Sequence, residues 1–199
     1  MNKEIERRYL KTSELRVVEK DGGLPMLEGY AIVYNTLSQD LGWFREIIKP
    51  GAFADSIKTD DIRALKNHDP NLILGRNKAG TLRLFDEEKG LRVEIDLPDV
   101  SYARDLAVSI KRGDLNQMSF GFFVDDEGCT WFTDEQGATT RTIVKGTLDD
   151  VSAVTYPAYT ETSIDVVAKR SFDRSKAKKR ALDHTIENAF LRLMLAEKF

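Results

Sequence analysis

The sequence predicts a mainly β fold with flanking helices, closed or nearly closed into an antiparallel β-barrel. Three observations carry this expectation. Short apolar or alternating runs recur along the chain, turn residues separate them at close intervals, and few stretches hold helical spacing. There is no internal repeat and no Gly-rich phosphate loop. The 199 residues suffice for one well-buried core, and 41% hydrophobic with 32% charged residues fits a soluble globular chain.

Each element follows from its own pattern. "ELRVVEK" (14–20) and "MLEGYAIVYN" (26–35) are extended segments, separated by the turn residues of "DGGLP". A short strand around Phe44–Ile48 ends at Pro50-Gly51, and a helical turn is expected from Ala52 to Lys58. "DIRALKNHDPNLILGRN" gives strand, polar corner, strand, and "TLRLFD" and "LRVEIDL" form a hairpin through "EEKG". Residues 99–115 have helical spacing at Ala103, Leu106, Ala107 and Ile110, with Gly113 as the stop. Strands follow at "QMSFGFFV", "CTWFT" and "TRTIVKGTLDDVSAVTYP". The last stretch, 182–199, is amphipathic, with Leu182, Ile186, Phe190 and Leu193 along one side.

Charge divides the chain further. Residues 169–180 carry a local charge of +6 against a net −3, which leaves −9 on the remainder. The expected organisation is a barrel domain over 1–167, a basic linker over 168–181 and a C-terminal amphipathic helix over 182–199. Phe172 is the one aromatic residue within the basic run, so nucleic-acid binding is not expected of it. The N-terminus lacks the apolar core of a secretory signal, and no apolar run is long enough to span a bilayer. A single Cys129 and two histidines exclude a disulfide framework and argue against a Cys/His zinc site.

Three isolated residues could do chemistry. In "LNQMSFGFFVDD", alternation puts Met118, Phe120, Phe122 and Val124 on one face and Gln117, Ser119, Gly121 and Phe123 on the other. Ser119 is thereby turned from the bulkiest residues, with Gly121 leaving its face clear for an approaching backbone. His68 lies in the polar corner "NHDP", whereas His184 sits in the C-terminal amphipathic stretch, a place for a surface or interface residue. Asp150 falls inside an otherwise apolar strand, where a buried carboxylate needs a partner. Hydroxyl, imidazole and carboxylate are the parts of a serine-hydrolase triad; their chain order, His–Ser–acid, differs from the familiar ones. Taken alone, each has a plainer explanation as a turn or strand-surface residue. A metal site of His68, Asp69 and another acid would make a poor ligand set.

The succession "EGYAIVYNTLSQDLGWFREIIKPGAF", "LKNHDPNLILGR", "GTLRLFDEEKGLRVEIDLP", "IKRGDLNQMSFGFFV" and "LDDVSAVTYPAY" resembles the prohead maturation proteases of tailed phages, in order over roughly 12–165. The resemblance implies the β-barrel with surrounding helices of the herpesvirus assembly proteases, and a serine endopeptidase that needs no cofactor or metal. It implies Ser119 as nucleophile, His68 as general base and Asp150 as the orienting acid, at a position where many relatives carry Glu. Asp149 is the fallback for the acid, while Asp69 is a poor orienter because it adjoins His68. The implied task is cleavage of scaffold and capsid-protein segments, often with self-cleavage, inside an immature prohead in the cytoplasm of a bacterial host. Implied partners are the major capsid protein with its scaffold segment and the portal and prohead shell, with no membrane; homo-oligomerisation is left open. The competing classes are a non-catalytic structural or scaffolding barrel of the phage head and an esterase-like hydrolase. Retention of both Ser119 and His68 favours an enzyme.

Overall fold

The computed structural model describes residues 5–9, 14–156 and 161–196, the last stretch with side chains at 168–183, 185–187 and 189. The strands are β1 (Glu6–Tyr9), β2 (Arg16–Val18), β3 (Met26–Val33), β4 (Arg45–Ile48), β5 (Arg63–Lys66), β6 (Asp69–Arg76), β7 (Leu82–Asp86), β8 (Gly90–Asp96), β9 (Gln117–Phe123), β10 (Cys129–Thr133), β11 (Thr139–Ile143) and β12 (Thr147–Val154). The helices are α1 (Ser56–Thr59), α2 (Ser101–Arg112) and α3 (Glu161–Ala196). Helix α2 stops where the sequence places its stop. Gly113 takes a left-handed φ of 82° and its N–H bonds the Ser109 and Ile110 carbonyls.

The strands form three separate sheets, not a closed barrel. Their orders are β1-β9-β12-β5-β6, β2-β3-β8-β7 and β10-β11-β4. Closure would need outer strands to pair, but β1 and β6, β2 and β7, and β10 and β4 each end a sheet. Nor is pairing antiparallel throughout, since β12 runs parallel to β5 and β11 parallel to β4. A count of short strands and turns cannot foresee this, because the pattern along each strand is the same whether its sheet closes or splits.

One apolar core joins the sheets. Leu27, Ile32, Leu91, Val93 and Ile95 bring the four-stranded sheet to Phe120, Phe122, Val151 and Ala153 of the five-stranded one, with Leu106 and Ile110 of α2 against them. Phe53 lies edge-on to both Phe120 and Phe122. The core face of β9 is thus held by its aromatics, which fixes the direction of the opposite face.

The basic run lies in the middle of one continuous helix: residues 168–181 belong to α3. Ala, Lys and Arg favour helix strongly, so the solvated face carries charge without interrupting the turns. The front of α3 docks on the three-stranded sheet, where Phe172 packs on Trp43 and Trp131. Trp131 donates its indole N–H to Ser171 Oγ at 3.2 Å. Further along, Leu182 and Ile186 are exposed. Phe190 and Leu193 of the same stripe, and the His184 side chain, lie outside the described residues.

β1 is an element the sequence pattern does not reveal. Its Glu6 and Arg8 read as surface charges, yet both are buried with Glu46 of β4 and Arg141 of β11. Arg8 donates to Glu46 Oε1 at 2.9 Å and to Glu6 Oε2 at 2.8 Å, and Arg141 donates to Glu6 Oε2 at 2.7 Å. Two acids and two guanidiniums balance, which is what permits their burial. Burial alone would raise the Glu6 carboxyl, but Arg8 and Arg141 override it and hold it below its ordinary value. A lowered folded-state value means stability present above the unfolded carboxyl's range and lost as pH falls through the folded one. Wild type should therefore lose stability on acidification below about pH 4.3 more steeply than Glu6→Gln, by up to ~1.4 kcal/mol per pH unit. Urea melts from pH 3 to 7 measure this, and parallel slopes would show that Glu6 does not supply the proton.

Candidate active site

Strands β9, β12 and the β5–β6 hairpin build the site. Lys66 pairs with Asp69, leaving Asn67 and His68 as a two-residue hairpin turn with φ of 56° at both. Two positive φ values are the signature of a primed hairpin turn, whose second position usually takes Gly. A histidine there is strained by roughly 1–2 kcal/mol, so the turn needs outside support. Asn67 supplies it: its N–H donates to Ala153 O at 2.9 Å, and its Oδ1 accepts from Thr155 N at 2.8 Å. His68 N–H donates to Ser152 Oγ at 3.2 Å. The turn is pinned to β12, which carries Asp150.

The three candidate residues meet there. His68 Nδ1 lies 2.7 Å from Asp150 Oδ1, and His68 Nε2 lies 2.6 Å from Ser119 Oγ. Asp150 reaches the ring despite being shorter than Glu, because the turn backbone sits directly on β12. Ser152 stands opposite Ser119 in the ladder and donates to Asp150 Oδ1 at 2.6 Å. It is a further prop for the imidazole.

Regular pairing from Ser152 back to Asp150 turns Asp150 to the imidazole, and a bulge follows directly at Asp149. Leu148 opposes Phe122 and Asp150 opposes Gly121, so Asp149 is the unpaired extra residue. Strict alternation would put Leu148 and Asp150 on one face. The bulge sends Leu148 to the core, while Asp150 faces the site. Burial, then the neighbouring Asp150 carboxylate, push the Asp149 carboxyl up against the pull of Arg7, Arg63 and His68. Asp69 turns to Asn71, accepting from its backbone N–H at 2.8 Å.

Gly121 has a task that its position in the sequence does not suggest. It opposes Asp150, and a Cβ built on it would collide with Asp150 Oδ2. The glycine makes room for the Asp150 carboxylate. Gly121→Ala should therefore displace Asp150 and lower activity about 10²-fold, the effect of roughly 1 Å of misplacement. Comparison of kcat with the thermal midpoint checks this: an unchanged kcat in a folded variant would mean that Asp150 has slack.

Nor does Ser119 face open space. It is 0% exposed, because β1 lies along β9 with Tyr9 opposite Ser119, and Ser119 Oγ donates to Arg8 O at 2.8 Å. The alternation correctly turned Ser119 from the aromatics but said nothing of a strand added alongside. Among the described residues, no group of three His, Cys, Asp or Glu side chains is placed to hold a metal. No described helix is long and apolar enough to cross a membrane.

A hydroxyl, an imidazole and a carboxylate in hydrogen-bonded series form the constellation of serine hydrolases, in which the imidazole can take the hydroxyl proton. The sequence model of the caudovirus prohead serine proteases matches residues 11–178, and the chain belongs to that family. Among solved structures it is similar to the capsid assembly protease gp21 of bacteriophage T4. The TM-score is 0.45 at 11% identity, over 76% of this chain and 99% of that one. No curated protein sequence matches the chain.

Proposed function

We propose that this chain is a serine endopeptidase that cleaves scaffold and capsid-protein segments, and its own chain, during maturation of a phage prohead. The observation that carries the reading is the continuous relay from Ser119 Oγ through His68 to Asp150, at 2.6 Å and 2.7 Å. Ser119 Oγ attacks the scissile carbonyl carbon while its proton passes to His68 Nε2. Asp150 accepts from Nδ1–H, fixing the tautomer and stabilising the imidazolium. Collapse of the tetrahedral intermediate breaks the C–N bond, and the leaving amine takes the proton from Nε2. Water, deprotonated by the same nitrogen, then attacks the acyl-enzyme and releases Ser119.

Family membership supports the setting: the interior of an immature shell in the bacterial host, with the major capsid protein, its scaffold segment, the portal and the shell as partners. The exposed Leu182 and Ile186 of α3 suit a segment that a shell component covers. The test is co-expression with a capsid protein that carries its scaffold segment, alongside labelling by a fluorophosphonate. Cleavage of that segment, with the label on Ser119, is the expected result. An intact substrate and no label would return the chain to a structural role, and label with ester but no peptide hydrolysis would make it an esterase.

A further inference from the structure

Ser119 cannot meet a substrate in the arrangement described. A nucleophile must come within about 3–3.5 Å of the reacting carbonyl, but Ser119 is fully enclosed. Something beside it must move. The His68 turn and β12 hold the relay together, and the core anchors β9. Among the described residues that leaves β1, a four-residue outer strand that lies upstream of the residues matching the family.

We propose that the edge of β9 is the docking surface for an extended polypeptide substrate, and that β1 is its resident occupant, holding Ser119 closed until a substrate strand replaces it. The proposal rests on the protease reading above and adds where the substrate lies and what it displaces. In the order β1-β9-β12-β5-β6, removal of β1 makes β9 an edge, with Ser119 on it. An open edge binds extended chains through main-chain hydrogen bonds, largely independently of their sequence. β1 already lies there as an antiparallel strand, with the Arg8 carbonyl on Ser119 Oγ at 2.8 Å.

The contact is inhibitory, not productive. Ser119 has one hydroxyl proton and two acceptors in reach, Arg8 O at 2.8 Å and His68 Nε2 at 2.6 Å. A proton given to Arg8 is not given to His68, so the nucleophile is not activated. In an attack, the carbonyl oxygen would face backbone donors and Oγ would face the carbon. Here Oγ donates to the oxygen instead, and the Arg8–Tyr9 bond is not the bond to be cut.

The anchor of β1 also suits exchange. It is held by Glu6 and Arg8, charges that regain their hydration on leaving, which offsets much of the ion-pair energy lost. Glu46 and Arg141 stay behind as a neutral pair, 3.3 Å apart.

The experiment uses the full chain, a fluorophosphonate and hydrogen exchange read by mass spectrometry. In the labelling step the Ser119 Oγ–P bond forms, the P–F bond breaks, fluoride leaves and the hydroxyl proton goes to His68. Amides of residues 6–9 are expected to exchange faster in labelled than in unlabelled wild type. Glu6→Gln, which weakens the anchor, should take label on the order of tenfold faster. Unchanged protection of 6–9 after labelling, slower labelling of Glu6→Gln, or cleavage between Arg8 and Tyr9 would overturn the proposal. Absence of label on both chains would remove the protease reading itself, and the docking surface with it.

Discussion

Ser119→Ala is expected to reduce cleavage of the scaffold-bearing capsid protein about 10⁶-fold, to the level left by substrate binding alone. The methyl group fits where the hydroxyl was. The core aromatics of β9 are untouched, so the thermal midpoint should move by only a few degrees. His68→Ala should cost a similar factor, because neither residue transfers a proton without the other. The two losses should also fail to add, and the double variant should be no worse than either single one. Timed gel analysis of the co-expressed substrate, with a melt of each variant, reads all of this. Full cleavage by Ser119→Ala would sink the assignment.

The second large effect is on Asp150. Asp150→Asn keeps the shape and removes the charge, and its amide N–H₂ can donate to Nδ1. That selects the tautomer with hydrogen on Nε2, which cannot receive the Ser119 proton. A loss of about 10⁴-fold in kcat is expected. Asp149→Asn should change little, because Asp149 is the bulge residue and the carboxylate on the imidazole is that of Asp150. Ser152→Ala falls between them, since it removes a donor to Asp150 and an acceptor for the His68 N–H. Parallel activity in the two aspartate variants would move the orienting role away from Asp150.

Much of this was legible because periodicity reports what each segment buries. The β7–β8 hairpin, α2 with its Gly113 stop, and the two faces of β9 follow directly from side-chain spacing. Sheet closure was not legible, because it depends on which outer strands meet. β1 was hidden for another reason: "ERRY" buries charge against Glu46 and Arg141, partners more than 35 residues away in the chain. At the site, residue types pointed to His68, Ser119 and Asp150, but the bulge that separates Asp150 from Leu148 leaves no compositional trace. The enclosure of Ser119 is likewise a property of its neighbour, not of "MSFGF" itself.

Helix α3 ties distant parts of the chain together. At 36 residues it is roughly 54 Å long, and among its described side chains Ala168, Ser171 and Phe172 seat it. The described side chains from 176 to 189 are all exposed. Ser171 and Phe172 rest on Trp131, over which the Arg141 guanidinium lies with 5.6 Å to the ring centroid. Arg141 holds Glu6, and Glu6 belongs to the strand beside Ser119. The seat of α3 and the strand beside Ser119 are thus joined by one series of side chains, from Phe172 through Trp131 and Arg141 to Glu6.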